Sequence, residues 1–204
     1  TRYSAQQYLD ALNEANRQFA FDSRALFKDA ATITTVDGTA SYSLPSDFYE
    51  EKKVTHKGLK LEPISRATLE FYKRSDDWTD DKGTPKYYNI DPEEARKNIL
   101  LYPIPQADDT GANLIFTYYP TPADLAADAD TPLNSYALLT PYHVALADYA
   151  AYLLLGYELI TPEIASKRAT LWTQYNGKVT EARDRFGNTA SEPLRLRGGR
   201  AWRS

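Results

Sequence analysis

The stretch from Gly83 to Leu125 constrains the fold most, because three β-prone runs follow one another there with turn-forming residues between them. These runs are Pro85–Ile90, Ile99–Tyr102 and Asn113–Tyr119. Short β-prone runs bounded by Pro, Gly, Asn and Asp are typical of antiparallel strands, so we predict a three-stranded meander. Neighbouring side chains of a strand point to opposite faces. The pairs Tyr87–Tyr88 and Tyr118–Tyr119 therefore predict aromatic rings on both faces of this sheet.

A sheet of this kind is either covered on both faces by its own chain or meets a partner on one face. Tyrosine accounts for 16 of the 204 residues. It buries a large ring while keeping a polar tip, and it is enriched at protein interfaces. A small domain that fills its core with tyrosine would have the same composition, so both interpretations stay open.

A helix is predicted at the N-terminus. Ser4 and Gln7 have the spacing of a capping box. Behind them, apolar residues recur at helical spacing from Tyr8 to Phe19. The other face of this segment is polar, so we expect an amphipathic helix that ends between residues 25 and 27.

Two hairpins are predicted next. The β-branched run Ala31–Val36 is followed by Asp37-Gly38, a hairpin-turn signal, and by the return strand Ala40–Leu44. Lys57-Gly58 is a second turn of this kind. Its flanking strands are Glu51–His56 and Leu59–Glu62. Ser65 is then placed to cap a short helix.

Two further helices follow a Pro- and Asp-rich connection over residues 120–141. Thr140-Pro141 and Thr161-Pro162 each place a threonine N-cap before a proline, which is typical of helix starts. The first helix, Pro141–Leu155, is apolar nearly all round and should be covered on most sides. The second should run to about Phe186, with Gly187 as its C-cap. It carries a narrow apolar seam of Trp172, Tyr175, Val179, Ala182 and Phe186.

Residues 188–204 differ in composition from the rest of the chain. Four arginines and one glutamate give this segment a formal charge of +3, which leaves −7 for residues 1–187 because the whole chain carries −4. The segment is either a disordered end or a peptide arm that orders on a partner. A contact to nucleic acid through four arginines would be weak and salt-sensitive.

The search for catalytic chemistry finds almost nothing. The chain has no cysteine, and the two histidines, His56 and His143, lack the neighbours of a metal site or a catalytic triad. The acidic loop Ser75–Lys82 does not follow the EF-hand pattern, and no glycine-rich phosphate loop is present. The longest apolar run, Ala150–Leu155, is too short for a membrane span. We therefore predict no enzyme activity, no cofactor, no metal and no membrane contact.

Two other classes stay open on the residues alone. A β-rich module could bind carbohydrate on tyrosine and tryptophan platforms, and a hydrolase could use scattered carboxylates. The first predicts that a saccharide quenches tryptophan fluorescence. The second predicts a pH-dependent activity that one Asp or Glu substitution abolishes.

Several short motifs occur in a fixed order between Ser41 and Leu155, and this order resembles the head-to-tail adaptor (head completion, tail tubular) proteins of tailed bacteriophages. The motifs are Leu44-Pro45-Ser46-Asp47-Phe48; Val54, Gly58, Leu61, Pro63 and Ile64; Gly83-Thr84-Pro85 before Tyr87-Tyr88; Leu101-Tyr102-Pro103 with Pro105 and Ala107; Tyr118-Tyr119-Pro120 with Pro122-Ala123-Asp124-Leu125; Thr131-Pro132; and Pro141-Tyr142-His143 with Ala145-Leu146 and Tyr149-Ala150.

The resemblance implies an α+β fold, in which a helical bundle is built from the N- and C-terminal helices, an antiparallel β-rich domain is inserted, and an extended C-terminal arm follows. The corresponding domains are residues 1–30 (first bundle helix), 31–125 (β-rich insertion), 126–187 (linker and C-terminal helices) and 188–204 (basic arm). It also implies a structural virion protein. Copies form a ring, typically dodecameric, beneath the portal protein in the neck of the virion, after assembly in the host cytoplasm.

The same resemblance suggests partners and site residues. Such a ring extends the DNA channel used in genome packaging and ejection, without sequence-specific DNA binding, and it offers a surface to tail or nozzle proteins. By position, the arm is expected to dock into the portal through Leu194, Arg195, Leu196, Arg197, Arg200, Trp202 and Arg203. The candidate subunit or tail interface is Tyr87, Tyr88, Tyr118, Tyr119, Asp124 and Leu125.

Overall fold

A computed structural model of the chain describes residues 2–72, 80–90, 98–126, 132 and 137–186. These residues form α-helices and antiparallel-rich sheets, so the predicted α+β class is confirmed. The predicted C-terminal arm and the Gly187 cap lie outside the described residues. The α-helices are α1 (Ala5–Ser23), α2 (Arg66–Tyr72), α3 (His143–Leu154) and α4 (Pro162–Phe186). The strands are β1 (Lys28–Thr34), β2 (Ser41–Ser43), β3 (Phe48–His56), β4 (Leu59–Lys60), β5 (Glu62–Pro63), β6 (Tyr87–Ile90), β7 (Asn98–Tyr102) and β8 (Asn113–Pro120).

The chain divides into two compact units. The helical unit combines Thr1–Ala25 with Ala123–Ser204, and the β unit is Leu26–Pro122. Both ends of the β unit are therefore joined to the helical unit. Each unit has its own buried residues.

In the helical unit, α1 packs against α3 and α4. The capping box is confirmed, because the Ser4 side chain accepts from the Gln7 backbone and the Gln7 side chain accepts from the Ser4 backbone. The helix stops at Arg24, which adopts the left-handed conformation at φ 50°. At the centre, Phe19 lies between Tyr142 and Tyr175, with ring centroids 5.8 and 6.3 Å away.

The predicted start of α3 is wrong by two residues. In addition, α3 is covered on fewer sides than predicted. Residues Ala137–Tyr142 form a 3-10 helix that contains Pro141, and α3 begins at His143 without a side-chain cap. Thr140 therefore lies inside the preceding turn and cannot act as the N-cap. Four α3 residues are buried, namely Ala145, Leu146, Ala150 and Leu154. Val144 is 64% exposed, so this apolar helix keeps an open side.

The prediction for α4 is confirmed at its start and along most of its seam. The Thr161 hydroxyl accepts a hydrogen bond from Ile164 N at 3.3 Å, as an N-cap does. Tyr175, Val179 and Ala182 are the buried residues of the helix. Trp172, the first member of the predicted seam, remains partly exposed.

The β unit contains two four-stranded sheets whose side chains share one hydrophobic core. The first sheet has the order β1-β8-β3-β4 and the second has the order β2-β7-β6-β5. The core lies among Tyr42, Val54, Leu61, Tyr88, Ile99, Leu101, Leu114, Phe116 and Tyr118. Because both sheets contribute to this cluster, each sheet buries one of its faces in it.

The predicted Asp37-Gly38 hairpin is wrong. Strand β1 pairs with β8, and β2 pairs with β7 in the other sheet. The turn exists, with Gly38 at φ 72°, but it carries the chain from one sheet to the other. Tyr42 holds this crossing, since its hydroxyl accepts from Val36 N at 3.0 Å and donates to Val36 O at 3.2 Å.

The predicted meander is half right. Strands β6 and β7 form the expected antiparallel pair, with Tyr87 opposite Tyr102. Strand β8, however, lies between β1 and β3 in the first sheet. The connection between β7 and β8 includes a 3-10 helix at Ala107–Asp109. It is long enough to carry the chain to the other sheet, whereas a tight turn would have kept β8 beside β7.

The Lys57-Gly58 hairpin is confirmed, but its second strand is shorter than predicted. Both turn residues have positive φ, 50° and 79°, as a two-residue turn between antiparallel strands requires. Strand β4 pairs with β3. After Leu61 the chain changes sheets, so β5 pairs in parallel with β6.

Candidate interaction surfaces

The six predicted interface residues lie in different environments. Tyr88, Tyr118 and Tyr119 are buried in the β unit, and Leu125 is buried in the helical unit. Tyr87 is half-buried and Asp124 is exposed. The free chain therefore offers only two of the six side chains at its surface, and the interface role of the set stays a prediction.

Tyr118 is a core residue whose hydroxyl still has a charged partner. Its ring stacks on Phe48, with centroids 5.6 Å apart. The hydroxyl donates to Asp47 Oδ1 at 2.9 Å, and the other oxygen of Asp47 accepts from Lys28 Nζ at 2.5 Å. Burial and the hydrogen bond to Asp47 raise the pKa of Tyr118 to about 12. These contacts assign Tyr118 to the stability of the β unit.

Asp124 and Leu125 attach the returning chain to α1. Asn13 donates to Leu125 O at 3.1 Å and accepts from Leu125 N at 2.6 Å. Arg17 Nη1 lies 2.5 Å from Asp124 Oδ1. The two residues are therefore held by α1 at the point where the chain re-enters the helical unit.

Tyr87 lines a groove of about 240 Å³ in the β unit. Leu59, Pro85 and Tyr87 contribute apolar surface. Lys60 and Lys86 add positive charge, and Glu62 adds a negative charge. Neither lysine has a carboxylate partner in the part of the chain that the structure describes.

Among the described residues of the helical unit, the most exposed large apolar side chains lie in the turn between α3 and α4. Tyr157, Leu159 and Ile160 are 77%, 90% and 77% exposed. We call these three residues the apolar turn. Loops lie at the surface, and apolar side chains that cluster at the surface point to an interaction site.

The apolar turn is anchored through the residue in its middle. Glu158 points inward, where it accepts a hydrogen bond from the Tyr3 hydroxyl and pairs with Arg2 Nη1 at 3.0 Å. The Tyr3 hydroxyl also lies 3.1 Å from Leu154 O, at the end of α3. The exposed side chains therefore project from a fixed backbone. From sequence alone, this connection is predicted only as the end of the helix Pro141–Leu155. The missed signal was three large apolar residues in a connection of a few residues.

The first half of α4 provides a second open surface. None of residues 162–174 is buried. Ala165, Ala169 and Trp172 are exposed and recur at four and three residues, so they share one side of the helix. We call these three residues the α4 face. Ala165 and Ala169 each end at a single methyl group, so this side of the helix carries little side-chain bulk next to Trp172.

Trp172 is held in place by other aromatic rings. Its centroid lies 6.1 Å from Tyr149, 5.3 Å from Tyr152 and 5.8 Å from Tyr175. Even so, it is 42% exposed. The ring therefore offers a rigid apolar surface, which is the kind of residue that dominates binding energy at interfaces.

A buried polar cluster at one end of the β unit was not predicted. Lys57 Nζ lies 2.6 Å from Asp109 Oδ1, and the Thr35 hydroxyl donates to Asp109 O at 2.6 Å. His56 Nε2 lies 3.4 Å from the same hydroxyl. Thr35, His56 and Asp109 are each at most 1% exposed. The cluster therefore joins the ends of β1 and β3 to the connection between β7 and β8, and its Thr35 hydroxyl is closed to solvent.

Burial and neighbouring charges shift the pKa values of His56 and Asp109 in this cluster. Burial lowers the pKa of His56, although Asp109 opposes this effect. For Asp109 burial acts to raise the pKa, but Lys57 and the backbone outweigh it, so the net pKa is lowered. At neutral pH the cluster therefore contains a neutral histidine beside a lysine–aspartate ion pair.

Neither a metal centre nor a membrane span is found among the described residues. No group of three or more His, Asp and Glu side chains there is arranged to hold a metal ion. No helix in the same part of the chain is long and apolar enough to cross a membrane. The acidic loop Ser75–Lys82 lies largely outside the described residues, since residues 73–79 are not described.

Comparison with known families places this architecture among the structural adaptor proteins of bacteriophages. The family described as SU10 adaptor protein matches residues 1–197 of the 204. The chain therefore belongs to the SU10 adaptor protein family and is a virion component. No curated protein matches the chain.

Proposed function

We propose that this protein is a head-to-tail adaptor that forms a ring beneath the portal, extends the DNA channel and presents an attachment surface to the tail. The observation that carries the proposal is the family match over residues 1–197. Its partners are then the portal protein, further copies of itself in a dodecameric ring, and tail or nozzle proteins. Its place is the neck of the virion, and it has no catalytic role.

The distribution of apolar surface supports a ring. In a ring of more than two copies, each subunit contacts its two neighbours through two different surfaces. The helical unit has two such surfaces, the apolar turn and the α4 face. Neighbouring subunits or tail proteins can then bind at the groove beside Tyr87 and at the exposed Asp124.

The charge balance supports a channel through which DNA slides. Affinity for DNA comes mainly from cations that neutralise phosphates. The whole chain carries a formal charge of −4 and the arm carries +3, so residues 1–187 carry −7. A lumen lined by such a surface would let DNA pass without adhering, in packaging and in ejection.

We propose that the basic arm docks into the portal. Its apolar residues, Leu194, Leu196 and Trp202, alternate with Arg195, Arg197, Arg200 and Arg203. An extended arm of this kind gains order and buried surface at the moment of binding.

Deletion of residues 188–204 tests the arm. We expect the truncated chain to keep the melting temperature of the full chain and to lose binding to the portal of the same phage in co-sedimentation. A variant with Leu194, Leu196 and Trp202 changed to serine keeps the charge and separates apolar from electrostatic binding. If the truncated chain binds the portal with full affinity, the arm has no docking role.

A further inference from the structure

We infer that the apolar turn of one copy packs on the α4 face of a second copy. The inference adds detail to the proposed ring. It rests on that proposal in one respect: a ring requires each contact to join two different surfaces. The contact itself is argued from the two surfaces and from the charges beside them.

The two surfaces do not cover each other within one chain, since all six of their side chains are exposed. The apolar turn ends directly before α4, which begins at Pro162. Trp172 lies ten residues further on, about 15 Å along the helix axis at 1.5 Å per residue. Leu159 and Ile160 project from the anchored turn, so their side chains do not reach the ring. A second copy can bring its turn to this position.

The shapes and the chemistry match. Ala165 and Ala169 carry a single methyl group each and are exposed on the same side of the helix as the Trp172 ring. Leu159 and Ile160 are aliphatic side chains that can pack against such a surface. Aromatic anchors at the centre of a contact, surrounded by apolar side chains, are the usual source of binding energy at interfaces.

Charges at the edge of each surface are complementary. Glu163 is exposed next to the apolar turn, and Lys167 is exposed next to the α4 face. Neither has an ion-pair partner in the described part of the chain. The Arg168 guanidinium stacks on Tyr152 at 4.5 Å, and its Nε is buried without a hydrogen-bond partner in the same part. A carboxylate from a second copy would meet two cations here.

A complementation experiment tests this contact, because it joins two different surfaces. The turn variant is Leu159→Ser with Ile160→Ser, and the face variant is Ala169→Glu. All three positions are exposed, so we expect both variants to keep the melting temperature of the natural chain. Trp172→Gln serves as a second face variant.

Association is measured by sedimentation velocity over a range of concentrations. We expect each variant alone to associate at least about tenfold more weakly than the natural chain. An equal mixture of the two should form a heterodimer and nothing larger, since only one intact turn and one intact face remain to meet. Matched controls are Val144→Ser, which removes exposed apolar surface at the far end of α3, and Gln174→Glu, which adds the same charge on another side of α4.

The outcomes separate this inference from the proposed ring. No heterodimer in the mixture, natural association in either variant, or a natural chain that stays monomeric up to its solubility limit overturns the inference. The last result still allows a ring that assembles only on the portal. Open filaments that depend on both surfaces support the contact and contradict a closed ring.

Discussion

At the scale of single residues, tyrosine combines a buried ring with a hydroxyl that reaches a carboxylate. Tyr118 does so with Asp47, and Tyr175 does so with Asp22 at 2.9 Å. Composition alone left interface and core as equal explanations, because the burial of a strand tyrosine depends on which strand lies beside it. For Tyr88 and Tyr118 the explanation is the core of the β unit, whereas Tyr119 is buried outside that core cluster.

The Tyr175→Phe variant tests this use of tyrosine. It keeps the ring in a fully buried position and removes the hydrogen bond to Asp22. We expect the free energy of unfolding to fall by about 1–2 kcal/mol, because Asp22 loses a buried partner. Tyr157→Phe is the matched control, since Tyr157 is largely exposed and its loss should be within about 0.5 kcal/mol. Equal effects in chemical denaturation would contradict the assignment.

The pH dependence of stability tests the His56 cluster. The pKa of His56 in the folded chain is lowered by burial from its usual 6.5, with Asp109 opposing and Lys57 assisting. Below about pH 6.5 the unfolded chain therefore binds a proton that the folded chain does not, and the free energy of unfolding falls as the pH falls. Asp109, whose pKa is lowered from 3.8, loses its contribution only in more acid solution.

Urea unfolding at pH 7, 6 and 5 measures this slope. We expect His56→Gln to have a shallower pH dependence than the natural chain. If the slopes of the natural chain and His56→Gln are the same, His56 does not titrate as inferred.

At the scale of elements, local signals were sufficient for turns and caps but not for strand partners. The Lys57-Gly58 turn and the Ser4 and Thr161 caps are encoded by a few adjacent residues, and the structure confirms them. The partner of β1 is β8, roughly eighty residues away. Asp37-Gly38 makes its turn but cannot specify that distant pairing. Similarly, the Thr140-Pro141 signal cannot exclude a 3-10 turn before α3.

Two glycine substitutions test the local backbone conformation, because they should change the free energy of unfolding in opposite directions. Gly177 lies inside α4 and has open space where a methyl group would stand, so Gly177→Ala should stabilise the chain by about 1 kcal/mol. Gly58 also has open space, but its φ is 79°, so Gly58→Ala should destabilise the chain by about 1–2 kcal/mol. Thermal unfolding of both variants is the measurement, and a shared sign would contradict this explanation.

At the scale of the whole molecule, the order of the motifs was more informative than any one of them. That order resembled phage adaptors from Ser41 to Leu155, and the family match covers residues 1–197. The predicted domain boundaries lay after residues 30 and 125, and the compact units divide after Ala25 and Pro122. The apolar turn was not predicted. Its sequence signal, the three large apolar residues Tyr157, Leu159 and Ile160 in a short connection, does not show whether these side chains are exposed or buried in the fold.

Electron microscopy of the protein mixed with the portal of the same phage tests the central claim most directly. A head-to-tail adaptor predicts a second ring stacked coaxially beneath the portal ring, with a continuous channel through both. The chain lacking residues 188–204 provides the control and should leave the portal bare. Full-length protein that stays dispersed while portal rings remain undecorated, at concentrations well above those of the portal, would contradict the account.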